Sequence, residues 1–370
     1  MISIVVPTYN EKDNVRSVAE IIKQTLCGHD YELIFVDDST DETPLILEQL
    51  SEADEAVRYL HRDRERGLAT AVARGFEISR GDVVTVMDAD LQHPPAMIVT
   101  MYETLKQADA DFVIPSRFVC GGDDGGLNIY RKMVSFVARY VGKLLLPVSL
   151  RKISDPTGGF FMFRREVIHE IELKPVGWKI LIEVLVRGTP TKVVEVPYRF
   201  QPRNAGQSKM STKEQINYVR HLLKLLKDSP SDRRLYLFCL IGFSGVIVNM
   251  ILYSILVRVG FGVPLSGCIS AAFAMASNFA LNDRVTWADV KGKRLIERAI
   301  KYVLTSVAGI GISTGTLTLL YYDAHVHYLD SNLIGISVAT VWNFIVNNIW
   351  TWRRTEVERG IVHISLSERV

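Results

Sequence analysis

Four apolar stretches, residues 235–257, 261–281, 302–322 and 332–352, fill the last third of this chain. Each is close to the roughly 20 residues that a helix needs to cross a bilayer. Every backbone group of such a segment must be satisfied internally, so the region is expected to fold as four helices in two hairpins. A mean hydropathy of +0.14, high for a water-soluble protein of 370 residues, supports that reading. Lys224, Lys227, Arg233 and Arg234 precede the first stretch, Arg284, Lys291, Lys293, Arg294, Arg298 and Lys301 lie between or flank the second and third, and Arg353 and Arg354 follow the fourth. The other two connections are short and nearly uncharged, which predicts a cytoplasmic N-terminal domain and cytoplasmic termini. A net charge of +2 gives no reason to expect nucleic acid. Cys27, Cys120, Cys239 and Cys268 are too dispersed for a zinc or disulfide framework. The lipid bilayer is the partner implied, and no obligatory protein partner is.

The first two hundred residues read differently. Apolar, β-branched runs at 2–7, 31–36, 57–60 and 83–87 alternate with helical patterns at about 14–26 and 70–79, and a further strand is expected at 111–115. This alternation predicts an α/β domain with a doubly wound, mostly parallel sheet. Ligands of such sheets bind beyond the carboxyl ends of the strands. The polar residues at the ends of these runs therefore become the candidates: Tyr9 and Glu11, Asp38, then Asp88, Ala89 and Asp90. Tyr9 can stack on a base, and Glu11 and Asp38 can accept from base or ribose. If the extended backbone persists beyond the run, Asp88, Asp90 and Gln92 point one way and form a hard-oxygen set suited to Mg²⁺ or Mn²⁺ with substrate phosphates. GxGxxG and GxxxxGK[ST] are both missing, which argues against dinucleotide and P-loop sites.

The segments VVPTYNE, FVDDSTDET and VMDADLQHPP, in that order, resemble the inverting family 2 glycosyltransferases of GT-A fold. The likeness continues through RGLATAVARGFEISRGD and covers roughly residues 1–210. SRF, DPTGGFFMFRR, GWKILIEVL and VPYRFQPRNAGQSKM are most similar to the dolichol phosphate mannose synthases and related polyprenol-phosphate sugar transferases. The processive polysaccharide synthases fit less well, because QxxRW is missing: Gln201 is followed by Pro202, Arg203 and Asn204. By position, the resemblance implies that Pro7, Tyr9, Glu11, Val36 and Asp38 hold the nucleoside, with Ala89 beside them. It implies that Asp88, Asp90 and Gln92 hold the metal, and that Arg117, Lys179, Arg203 and Lys209 hold phosphates. The implied reaction moves mannose from GDP-mannose to dolichyl or another polyprenyl phosphate with inversion. Another hexose, or a lipid-linked-sugar flippase with a nucleotide-sugar-sensing domain, are the alternatives.

The cations make sense without the family, since a sugar nucleotide and a lipid phosphate bring several negative charges together. Arg117, Arg131, Arg203 and Lys209 are the candidates, with Arg117 placed at the functional edge by the strand before it. A phosphate monoester acceptor is already ionised near neutral pH, its second pKa being about 6, so no general base is required. Asp155 is accordingly expected to orient rather than to take a proton, and Glu183 to be structural.

Residues 131–146 and 212–227 each put apolar side chains on one helical face and Lys and Arg on the other, as interfacial helices do. Arg131 and Ser135 fall one turn apart on the first, where a lipid phosphate would sit. In the apolar third, Asn278, Phe279, Asn282, Thr286 and Trp287 recur as Asn343, Phe344, Asn347, Thr351 and Trp352. The pattern resembles the GtrA-like membrane proteins, with the Trp residues expected as interface anchors. The expected organisation is a catalytic domain at 1–211, an interface helix and linker at 212–230, a membrane domain at 231–354 and a tail at 355–370.

Overall fold

A computed structural model describes residues 1–63, 66–126, 129–188, 190–201, 212–290, 295–352 and 362–365. It separates into two compact units, Met1–Ser229 with Arg359–Val370, and Pro230–Glu358. The helix at 212–228 falls within the first unit, whereas the expected tail at 355–370 is divided between the two.

The first unit runs β1 (Ile2–Thr8), α1 (Val15–Thr25), β2 (Tyr31–Asp37), α2 (Thr43–Ala53), β3 (Val57–His61), α3 (Leu68–Ile78), β4 (Val83–Val86), α4 (Met97–Gln107), β5 (Phe112–Ser116), α5 (Ile129–Leu145), β6 (Phe161–Arg164), α6 (Ile180–Arg187), β7 (Lys192–Pro197) and α7 (Thr212–Asp228). A last strand, β8 (Val362–Ser365), joins the same sheet, whose order is β3-β2-β1-β4-β6-β5-β7-β8. Among the described strands only β6 runs antiparallel to its neighbours. Every residue of β1 is buried, as expected for a strand covered on both faces. Ile4 and Val6 pack into the α1, α2 and α4 layer, and Val5 into the layer of α3, α6 and α7. Each such side chain contributes about 1.5–3 kcal/mol on burial, so a one-residue register slip would exchange both layers. The register sets Pro7 opposite Val36, Thr8 opposite Asp37 and Val5 opposite Val86. β1 and β2 therefore end level, β4 stops earlier, at Val86 opposite Val5, and the residues beyond all three lie at one edge of the sheet.

The second unit contains α8 (Pro230–Arg258), α9 (Val263–Leu281), α10 (Leu295–Thr318) and α11 (Tyr328–Val346), with α8 packed on α9 and α10 on α11. Among the described residues three helices are long and apolar enough to cross a membrane, Pro230–Arg258, Leu295–Asp323 and Leu333–Thr351. The fourth expected span folds as the 19-residue α9. Leu240, Phe243, Met250, Ile251 and Phe273 are all exposed, which suits lipid and not water.

The internal repeat is visible in side chains. Asn278 lies on Gly245, and Asn343 on Gly309, so closely that a Cβ at either glycine would sit under 3 Å from the carboxamide. Thr286 donates to Asn282 Oδ1 at 2.8 Å and Thr351 to Asn347 Oδ1 at 2.7 Å, each within a π-helical turn. The tryptophans are not a lipid-facing belt. Trp287 and Trp352 are each 1% exposed and stack on one another, 4.2 Å between centroids and 3° from parallel. Their indole N–H groups donate to Asn348 and Asp283. The repeat thus meets itself at its own aromatic ends.

Candidate active site

The carboxyl ends of β1, β2 and β4 open onto a cavity of about 640 Å³. Seven of the expected residues line it: Pro7, Tyr9, Glu11, Asp38, Asp88, Ala89 and Asp90. Val36 is buried in β2 beside Pro7 and supports the edge from below. Gln92 is buried too, its Nε2 donating to the Gln201 carbonyl at 3.2 Å. Arg131 is placed on α5, and Arg203 and Lys209 lie outside the described residues.

The two acids after β4 do not share the cavity by strand alternation. β4 ends at Val86, the chain turns at Ala89 and Asp90, and Leu91 takes φ +57°. Asp90 Oδ1 accepts the Gln92 N–H at 3.1 Å, an Asx turn that stabilises this reversal. The turn brings Asp88 and Asp90 to the cavity by another route. Asp90 is nearly buried, whereas the Asp88 side chain is about one-third exposed. Gly159, from the DPTGG segment, packs beside Asp88: a Cβ there would stand 3.1 Å from Oδ2.

His93 lies 3.4 Å from the same Asp88 oxygen, among Phe160, Tyr198 and Phe200. Burial, helped by the nearby Arg117 cation, pushes its pKa down to about 3. The contact is therefore one of a neutral ring with a carboxylate, and no ion pair.

Asp38 lines the cavity with most of its capacity taken. Arg62 donates to both its oxygens at 2.7 Å, and the Gly67 N–H donates to Oδ2 at 3.0 Å. A carboxylate has about four acceptor positions, and these three bonds take most of them. Arg62 also reaches Thr70 Oγ1 and the Gly67 carbonyl, which fixes the N-terminus of α3 as part of the cavity wall.

The expected cations centre on a buried pair. Arg117, just after β5, donates from Nε to Asp155 Oδ2 at 2.7 Å and from Nη2 to Oδ1 at 3.0 Å. Asp155 is fully buried, and its loop is pinned by Glu195 of β7, which accepts from Ser154 N, Ser154 Oγ and Asp155 N. Burial opposes the Arg117 charge, and Asp155 more than offsets this, holding the guanidinium protonated. Asp155 is thereby a counterion and not a free base. Ser135 is half-buried on α5, one turn from Arg131.

Lys179, at the start of α6, bonds the Thr157 carbonyl and sits 3.6 Å from the centroid of Trp178. Burial, then the Arg117 cation, lower its pKa to about 7, with Asp155 and Asp88 working the other way. Because the folded value lies below the unfolded one, about 10.4, the folded chain binds fewer protons between the two. Stability tied to Lys179 is full above about pH 10.4 and lost as pH falls through about 7. The Lys179→Met protein is thus expected to exceed the parent in Tm most at about pH 6, with a gap that narrows toward about pH 10. A gap that does not change with pH would show an ordinary lysine.

Glu183, on the same helix, is fully buried and bonded to His221 of α7 at 2.6 Å and to Arg187 at 2.7 Å. Its role is structural: it ties α6 to α7. Burial raises its pKa, and the bonds from His221 and the Lys174 N–H outweigh that and hold it low.

An edge of acids facing buried cations, on a mostly parallel sheet joined to apolar helices, defines a membrane-associated glycosyltransferase. Family models agree: Glycosyl transferase family 2 matches residues 3–172, and the GtrA/DPMS transmembrane domain matches residues 237–352. The dolichol-phosphate mannosyltransferase of Pyrococcus furiosus is 36% identical over 352 residues, 95% of this chain and 99% of that one. The dolichol-phosphate mannosyltransferase of Saccharomyces cerevisiae is 33% identical over 64% of this chain and 91% of its own. Among solved structures, Mycobacterium tuberculosis glucosyl-3-phosphoglycerate synthase with Mn²⁺, UDP-glucose and phosphoglyceric acid matches with a TM-score of 0.47 and 23% identity, over 61% of this chain and 78% of that one. The chain belongs to the dolichol-phosphate mannosyltransferase family and is an integral membrane glycosyltransferase.

Three groups at the site carry no mark in the sequence: Arg62, His93 and Trp178. Arg62 stands in the charged run HRDRERG, where nothing local signals its pairing with Asp38. His93 and Trp178 lie inside motifs whose visible signal is a neighbour, Gln92 or Lys179.

Proposed function

We propose that this protein transfers mannose from GDP-mannose to the phosphate of dolichol or another polyprenol with inversion. The observation that carries this reading is the Arg117–Asp155 pair. The carboxylate placed where a general base would be needed for a hydroxyl acceptor is fully buried and held at both oxygens. Such a site suits an acceptor that arrives already ionised. An oxygen of the lipid phosphate attacks C1 of the sugar, forming the C1–O–P link. The C1–O bond to GDP breaks, GDP keeps the electron pair, and no proton has to be removed. Arg117, with Arg131 and Ser135 on α5, offsets the charge of the incoming phosphate; Arg203, Lys209 and Lys179 do so for the diphosphate. Pro7, Tyr9, Glu11, Val36 and Asp38 hold the nucleoside.

Among the described residues no group of three or more His, Cys, Asp or Glu could hold a metal by itself. Two carboxylates open to a cavity nevertheless fit Mg²⁺ or Mn²⁺, which is commonly bound by one or two carboxylates and completed by substrate phosphates. Asp88 and Asp90 would hold it, with Gln92 buried in the turn that Asp90 closes. When bound, the cation supplies positive charge to the departing diphosphate. Purified protein with GDP-mannose, polyprenyl phosphate and Mn²⁺ is expected to form lipid-linked mannose. No product with any sugar nucleotide would sink the reading, and translocation without transfer would favour the flippase.

The catalytic unit and both termini are read as cytoplasmic. The Lys and Arg distribution supports this, and β8 adds a second argument. A strand beyond the membrane unit pairs with β7, which lies before it, so the number of crossings between them must be even. In a cysteine-free background, Gly262→Cys is expected to react with an impermeant maleimide added to intact cells, and Gly292→Cys only after lysis. The reverse pattern would invert the assignment.

A further inference from the structure

One wall of the cavity has no part in the proposed reaction. It is made by Gly177 and Trp178, ahead of α6, and by Glu214 and Asn217, one turn apart on α7. Gly177 holds the two elements close: its φ is +79°, and a Cβ there would lie 3.3 Å from both Asn217 Cβ and Glu214 Oε2. Trp178 therefore leaves the chain next to two polar side chains. The Lys179 ammonium lies over its ring and bonds the Thr157 carbonyl, which ties the indole to the DPTGG segment beside Asp88.

The indole N–H is buried and has no hydrogen-bond partner among the described residues. What Trp178 offers the cavity is thus carbon. An unmatched buried N–H costs about 1–3 kcal/mol, and Phe would fill most of the space without it. The large π face is what this position keeps at that cost.

A ring face beside a carboxylate and a carboxamide matches one part of a sugar nucleotide. The weakly positive C–H groups on a pyranose face sit well on the negative face of an indole. Hydroxyls at the rim can donate to Glu214 and either donate to or accept from Asn217. A diphosphate against Glu214 would be repelled. Resting on the sugar-nucleotide reading, we propose that this wall holds the transferred hexose, with Trp178 as its stacking platform and Glu214 and Asn217 reading its hydroxyls.

The test compares two ligands on the full-length protein in detergent with Mn²⁺, by calorimetric Kd for GDP and for GDP-mannose. Trp178→Ala is expected to weaken GDP-mannose about tenfold, equivalent to roughly 1.4 kcal/mol, and GDP less than about twofold. Trp178→Phe should recover most of that loss, and Glu214→Gln should weaken GDP-mannose selectively. Equal weakening of both ligands would place the nucleoside on this wall and overturn the inference. Unchanged GDP-mannose affinity in Trp178→Ala would overturn it as well. Failure of the parent protein to bind either ligand is a separate result, which removes the sugar-nucleotide reading itself.

Discussion

Arg117→Ala is expected to lower both stability and turnover, and a second substitution should separate the two losses. Asp155 is fully buried and receives two bonds from Arg117, so removing the guanidinium strands a carboxylate without its counterion. Breaking a buried pair from one side costs about 3–5 kcal/mol, mostly through that unpaired charge. The Arg117 side chain keeps 10% exposure, which admits some solvent and favours the lower end, about 3 kcal/mol. Replacing both members by apolar residues removes the stranded charge, and such replacements are often neutral. Arg117→Met with Asp155→Leu should therefore regain most of the lost Tm. Turnover should not return, since a preorganised cation aimed at reacting charge is worth about 10²–10³-fold in rate. A double variant as unstable as the single would mean that packing, not charge, holds this loop. A stable double variant with full turnover would remove Arg117 from the reaction.

Much of the edge could be read from sequence because its signals are local. The runs in β1, β2 and β4 are buried on both sides, and the polar residues after them had to emerge together once parallel pairing was assumed. The acids after β4 reached the cavity for a different reason than the one expected. Alternation requires continued extension, whereas Asp90 bonds the Gln92 N–H and turns the chain; a side-chain-to-backbone bond two residues on competes with the strand. Pairings across long separations were not legible. Asp38 reads as a base acceptor until Arg62, 24 residues on, is seen across both oxygens, and Arg117 and Asp155 are 38 residues apart.

The membrane unit teaches the same lesson with the opposite sign. Trp287 and Trp352 carry the pattern of interfacial anchors, yet the repeat that placed one placed the other against it. A repeated motif predicts equivalent positions, and equivalent positions can also meet. The tail is the hardest case: β8 has four residues, too few for a period, and its partner β7 precedes the whole membrane unit.

Asp90→Asn is expected to fold like the parent and to lose most of its metal-dependent turnover. Asp90 has two tasks: Oδ1 caps the turn through the Gln92 N–H, and its charge completes the acidic pair on the cavity. Asparagine keeps an oxygen for the turn and removes the charge, whereas alanine removes both. Asp90→Ala should therefore lose turnover and also some stability, about 1 kcal/mol for the missing bond. With the charge gone, Mn²⁺ should bind more weakly, so higher Mn²⁺ should restore part of the rate in Asp90→Asn. The thermal shift given by GDP should depend on Mn²⁺ in the parent and much less in the variant, because a ligand bound only to the folded state stabilises it by mass action. Full turnover of Asp90→Asn at the parent's Mn²⁺ requirement would mean that Asp90 serves the turn alone. Retained GDP binding without the Mn²⁺-dependent shift would instead assign the nucleoside to the β1 and β2 ends and the cation to the turn after β4, which is the division of labour that the common end of β1 and β2 and the earlier end of β4 suggest.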